Sequence, residues 1–127
     1  MRDLTALATA LTLTALTAAP LRAEDVVQSA PASNKVLLDN ANVRVVEAAI
    51  KPGDREAMHT HPSGWYYVTE GGTLSVTFAD GKKETWSPKA GESGWLDAEG
   101  PHTSANTGKT TLRWTLVEVK SAAPKSH

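Results

Sequence analysis

The sequence predicts an all-β domain, a sandwich or a barrel, and three observations carry that prediction. At 127 residues the chain has room for one domain of the usual ~100–200 residues. Downstream of residue 36 it breaks into short runs rich in Val, Thr, Tyr and Trp, with turn signals at a spacing of roughly eight to twelve residues. Nothing after residue 23 sustains a helical period.

Taken in order, Leu4 to Ala19 (LTALATALTLTALTAA) is uncharged and 16 residues long, follows Arg2 and precedes Pro20 and Ala23. That layout is a secretory signal peptide, cut after Ala23 or, as the other candidate, after Ala19. It is shorter than the ~20 residues of a membrane span. Residues 1–23 are therefore expected to direct a periplasmic or secreted protein with no stable membrane insertion after cleavage. Residues 24–36 are polar with Pro31 and read as an extended N-terminal arm, and 121–127 as a polar tail. Between them, Val43, Val45 and Glu47 alternate with Arg44, Val46 and Ala48 up to the turn Lys51-Pro52-Gly53-Asp54. Trp65 to Thr69 is an aromatic, β-branched strand ending at Gly71-Gly72. Leu74, Val76 and Phe78 alternate with Ser75, Thr77 and Ala79, and Asp80-Gly81 reads as a two-residue hairpin loop into Lys82 to Trp86. Thr110 to Val119 makes the last strand.

Charge and composition narrow the function. Lys and Arg number 13 against 14 Asp and Glu, for a formal net charge of −1, which gives no electrostatic case for nucleic acid. With no cysteine, disulfides, thiolate metal sites and thiol nucleophiles are excluded, and no Gly-x-Ser-x-Gly elbow occurs. Chemistry gathers around His59, His61 and His102. On an extended strand, residues i and i+2 share a face about 6.6–6.8 Å apart, so His59 and His61 can converge on one ion. His102, just after Gly100-Pro101, reaches the same point if the sheet closes into a barrel. Such a set suits a divalent ion with an open position; a pair of solvated or hydrogen-bonded histidines beside Pro62 is the alternative.

Gly53, five residues, His59-Thr60-His61, a short loop, an aromatic strand and Gly71-Gly72 resemble the first conserved motif of the cupin superfamily. Gly91, five residues, Asp97, then His102 and three residues to Asn106 resemble the second. The two motifs and the strands between them span roughly residues 43–119. The resemblance implies a double-stranded β-helix, or jelly-roll barrel, of six to eight strands over 37–120. It also implies one divalent metal ion (Fe2+, Zn2+, Mn2+, Ni2+ or Cu2+) on inward-facing His59, His61 and His102, a small-molecule ligand in the barrel, and a homodimer.

This chain departs from the family pattern at the carboxylate that usually follows the second histidine by three or four residues. Ser63-Gly64-Trp65-Tyr66 stands there, and the spacing leaves open which of Gly64, Trp65 and Tyr66 takes the place. Asp97 and Glu99 replace the usual proline and glycine of the second motif, Asp97 reading as a turn former. Three neutral imidazoles leave the ion's charge uncompensated and favour an anionic ligand. With that preference, the resemblance implies activity on a small carboxylate or dicarbonyl compound, by dioxygenase-, lyase- or isomerase-type chemistry. The other reading is a non-catalytic small-ligand or metal-binding barrel. Tyr66, inward by strand parity from position 64, is the candidate catalytic residue; a barrel aromatic is its plainer role. Arg55 shares parity with His59 and could meet an anion at the mouth, or lie in a surface turn. Trp65, Trp86, Trp95 and Trp114 either line an apolar pocket or fill core. The Asn106 amide is expected to orient the strand or a water behind the site.

Overall fold

In β3 (Val43–Ile50) the alternation resolves into an inner row, Val46, Ala48 and Ile50, all buried, between half-buried Val45, Glu47 and Ala49. The computed structural model describes residues 24–120, so the signal-peptide reading of 1–23 and the tail 121–127 fall outside the described residues. Among the described residues, ten strands form two five-stranded sheets. One has the order β1 (Glu24–Asp25), β4 (Arg55–His61), β9 (Glu99–Asn106), β6 (Leu74–Phe78), β7 (Lys83–Trp86). The other runs β2 (Asn34–Asp39), β3, β10 (Leu112–Val119), β5 (Gly64–Glu70), β8 (Ser93–Leu96). The long-range neighbours, β10 between β3 and β5 and β9 between β4 and β6, are antiparallel. This is a double-stranded β-helix. Ile50, Val68 and Leu112 from one sheet meet Leu74 from the other in the core, the two inner faces burying each other's alternate residues.

Local chemistry sets the corners. At Lys51-Pro52-Gly53-Asp54 the Asp54 amide donates to the Lys51 carbonyl at 2.9 Å with Gly53 at φ +84°, a type II turn with Pro and Gly where that turn wants them. The β6–β7 hairpin differs from the two-residue loop expected. The Phe78 amide donates to the Lys82 carbonyl and the Gly81 amide to the Phe78 carbonyl, so the loop is Ala79-Asp80-Gly81. Gly81 takes the left-handed position at φ +89°, as in three-residue loops closed by a glycine bulge.

The N-terminal segment 24–36 is not the extended arm expected from its polarity. Asp25 caps a single turn, α1 (Val26–Ser29), by accepting the Val27 amide, and Val26 is buried. β1 adds in parallel to β4, Glu24 opposite His59, and β2 starts at Asn34. The anchor is charge: Arg44 donates at 2.6 Å to both Asp25 and buried Glu118. Burial raises the Asp25 carboxyl, but the Arg44 and Val27 hydrogen bonds together outweigh it and hold the group below its ordinary range. Because this segment supplies two strands, the count exceeds the six to eight implied by the resemblance. No helix among the described residues is long and apolar enough to cross a membrane.

Candidate metal centre

The histidines owe their placement to a bulge. Register between β4 and β9 slips between Glu56 and His59, so the inward set is Glu56, His59 and His61, all buried, while Arg55, Ala57 and Met58 are exposed. A bulge inserts one residue and reverses the parity beyond it. Arg55 therefore does not share the face of His59, contrary to the simple alternation, and Glu56 takes the inward place. A second slip, between His59 and His61, puts an extra residue into β9 between Glu99 and His102; from His102 onward parity holds, and His102, Ser104 and Asn106 are all buried. His59 and His102 sit directly opposite each other in the register.

Ring centroids lie 4.4 Å apart for His59 and His102, 4.8 Å for His59 and His61, and 5.3 Å for His61 and His102. One nitrogen from each residue lies within 4.8 Å of the other two. His59 Nδ1 donates to the Ala57 carbonyl at 2.7 Å, and His102 Nδ1 to the Gly100 carbonyl at 2.8 Å. A carbonyl only accepts, so Nδ1 carries the proton and Nε2 is the nitrogen each ring can offer to an ion. His59 Nε2 and His61 Nδ1 are buried without a hydrogen-bond partner among the described residues. Burial, with His59 and His102 adding, drives His61 down to about 3; burial also lowers His59. Three buried imidazoles, two of them braced by backbone carbonyls and two with a nitrogen left without a partner, are the donor set a borderline divalent ion takes, and the site fits one.

The cluster forms one wall of a cavity of about 290 Å³ that Tyr66, Trp86, Trp114, Leu74 and Val76 continue as apolar surface. Tyr66 lines it with its ring edge-on to Trp86 at 5.5 Å. The hydroxyl lies against Gly94, where an added Cβ would come within 3.1 Å of it. Trp65 faces outward, stacked on Tyr67 and 43% exposed. Trp86 and Trp114 are half-buried against the core, their rings 4.5 Å apart. Asp97 is exposed in the connection between β8 and β9. Asn106 holds backbone, donating to the Ile50 and Thr110 carbonyls at 2.7 and 2.8 Å and accepting the Gly108 amide.

Gly64 explains where a fourth ligand cannot be. A Cβ there would lie 2.2 Å from the Val117 carbonyl oxygen of the neighbouring strand, so position 64 excludes every side chain. Gly64→Ala is expected to cost about 2–3 kcal/mol through forced displacement of β5 from β10. A thermal midpoint equal to wild type would show that the two strands part freely.

Two functional residues escaped the sequence reading. Glu56, buried in the cavity wall, accepts from Ser104 at 2.8 Å, Ser33 at 2.8 Å and Asn34 at 2.5 Å. Only the bulge turns it inward, and alternation alone does not show a bulge. Glu99, which the motif comparison marks as a replaced glycine, opposes His61 in the register, and its Oε2 lies 3.5 Å from His102 Nε2. Burial raises its carboxyl above the ordinary range, against the pull of His102.

Comparison with known structures agrees with this architecture. A cupin domain from Bordetella pertussis Tohama I aligns at 20% identity over 80% of this chain and 99% of its own, with a TM-score of 0.63. An RmlC-like cupin family protein with a double-stranded β-helix fold from Methanocaldococcus jannaschii aligns at 14% identity over 68% of this chain and 77% of its own, TM-score 0.54. The polyketide cyclase RemF from Streptomyces resistomycificus aligns at 23% over 72% of this chain and 66% of its own, TM-score 0.51. A sequence comparison with curated proteins finds no match. The family model for the cupin domain matches residues 46–118, which include both histidine motifs and the strands that join them, and the chain belongs to the cupin domain family.

Proposed function

We propose that this protein binds one divalent metal ion through His59, His61 and His102 and takes a small carboxylate or dicarbonyl compound into the adjoining cavity, for chemistry of the dioxygenase, lyase or isomerase type. The observation that carries the reading is the convergence of three buried imidazoles on one wall of a largely apolar cavity. A divalent ion held there supplies a Lewis acid for a ligand oxygen. The chain's own residues do the rest. Ala57 and Gly100 fix the ring orientations through their carbonyls. Trp86, Trp114, Leu74 and Val76 exclude water, which strengthens every polar contact a ligand makes. Tyr66 is the hydroxyl proposed to hydrogen-bond the bound compound. The cavity volume of about 290 Å³ sits at the small end of the ~300–1,000 Å³ typical of ligand pockets, in keeping with a compound of a few carbons.

Calorimetry with malonate and acetylacetone as probes tests this. Binding is expected to the zinc-loaded protein and to disappear after chelation. Tyr66→Phe is expected to weaken binding about three- to tenfold, the worth of one hydrogen bond, with metal content unchanged. Equal binding with and without metal would overturn the reading, and an unaltered Tyr66→Phe would remove Tyr66 from it. A non-catalytic barrel is favoured by one observation: the Glu56 carboxylate in the cavity wall is engaged by three donors that tie the N-terminal segment to β9, a structural use of the group. Turnover of a probe, against stoichiometric binding alone, separates the two.

A further inference from the structure

Three carboxylates line the cavity, and their partners differ. Glu56 is saturated by Ser33, Asn34 and Ser104. Glu84 is 54% exposed and pairs with Lys82 at 3.3 Å. Glu99 is 29% exposed, and among the described residues it has neither a hydrogen-bond donor nor a Lys or Arg partner. Its one close polar neighbour is His102 Nε2, at 3.5 Å. With Nδ1 committed to the Gly100 carbonyl, Nε2 is the ring nitrogen turned toward the carboxylate and available to an ion. A carboxylate oxygen and an imidazole nitrogen, both atoms of the kind that bind a divalent ion, thus stand side by side at one edge of the histidine cluster.

We propose that Glu99 is a fourth protein ligand, so that the ion is held by three imidazoles and one carboxylate. The inference rests on the three-histidine reading above. Ligand atoms bound at ~2.0–2.2 Å and subtending angles of ~90–110° lie about 3.0–3.5 Å apart, the spacing Glu99 Oε2 already keeps from His102 Nε2. The register places Glu99 across from His61, and both residues line the same cavity. The structure also closes the other route to a carboxylate: Gly64 has no room for a side chain, Trp65 faces out, and Tyr66 offers a phenol against Gly94. The acid has moved from β5 to the start of β9, where residues 99 and 100 hold both nitrogens of one ring: the Gly100 carbonyl takes Nδ1 and the Glu99 carboxylate shares the ion with Nε2. With a carboxylate bound, the ion's net charge falls by one, which lessens the preference for an anionic ligand that three histidines alone would impose.

Cobalt is titrated into the metal-free full chain and followed by visible absorption, with zinc affinity measured by competition against a chromophoric chelator. The proteins are wild type, Glu99→Gln and His102→Ala. Glu99→Gln is expected to shift the cobalt bands in position and intensity and to weaken zinc binding at least about tenfold, as loss of metal-site partners does. Its metal-free melting midpoint is expected to match wild type, since the carboxylate has no donor to lose. A Glu99→Gln protein with wild-type bands and affinity would overturn the assignment of Glu99 and leave the three histidines standing. A metal-free Glu99→Gln protein that melts well below wild type would make Glu99 structural and overturn it too. Wild-type cobalt binding by His102→Ala, or none by wild type, would bring down the three-histidine reading and this inference together.

Discussion

A His59→Ala/His102→Ala double variant is expected to carry no metal, where wild type purified without an affinity tag or chelator carries close to one equivalent. The two residues are directly opposed across β4 and β9, and each presents a nitrogen oriented by a backbone carbonyl. Removing both leaves His61 and one carboxylate, too few ligands to compete with water for the ion. Stability reports the same event. Metal at 100 times its dissociation constant adds about 2.7 kcal/mol, a rise in midpoint of roughly 10–20 °C for a domain of this size, and the double variant is expected to show none of it. Metal content unchanged in the variant, or no metal in wild type after incubation with Fe2+, Zn2+ and Cu2+, would end the metal reading. The element found directs the search for activity: iron points to oxygen-consuming reactions, while zinc, nickel or manganese points to elimination or isomerisation.

The second large effect is structural. Glu56→Ala is expected to destabilise the metal-free protein by about 3 kcal/mol, a fall in midpoint of roughly 10–20 °C. Glu56, Asn34 and Ser104 are each at least 94% buried, and one carboxylate satisfies donors from the N-terminal segment, β2 and β9 at once. Deleting it leaves the buried Ser104 hydroxyl without its acceptor at ~1–3 kcal/mol and takes one acceptor each from Ser33 and Asn34, which keep the Ala30 carbonyl, while a cavity opens where the side chain was. Glu56→Gln keeps the shape and one acceptor oxygen and is expected to cost about half as much. Thermal and urea unfolding of both variants check this. An alanine variant as stable as wild type would show that the N-terminal segment docks through Val26 and the Arg44 ion pairs alone.

These effects divide between what can be read along the chain and what cannot. The all-β class, the inner row Val46, Ala48 and Ile50, and the grouping of His59, His61 and His102 by motif were legible, because strand periodicity and turn chemistry are local and the two motifs keep their spacing in sequence. Parity was legible on β9 from His102 onward and failed on β4 and between Glu99 and His102. A bulge between Glu56 and His59 is set by how β4 pairs with β9, so the outward turn of Arg55 and the inward turn of Glu56 depend on a strand some 45 residues away. The N-terminal segment misled for a related reason: its polarity reads as linker, and only the tertiary structure supplies Arg44, Glu56 and the groove for Val26 that make docking favourable. The carboxylate beside the histidines followed the same rule. Nothing near position 64 in sequence offers one, and Glu99 becomes a neighbour of His61 through antiparallel pairing alone. Sequence by itself determined which residues carry chemistry and on what kind of surface. Folding decided which of them share a space, because side-chain direction beyond a bulge and contact across strands are properties of pairing, and pairing is not local.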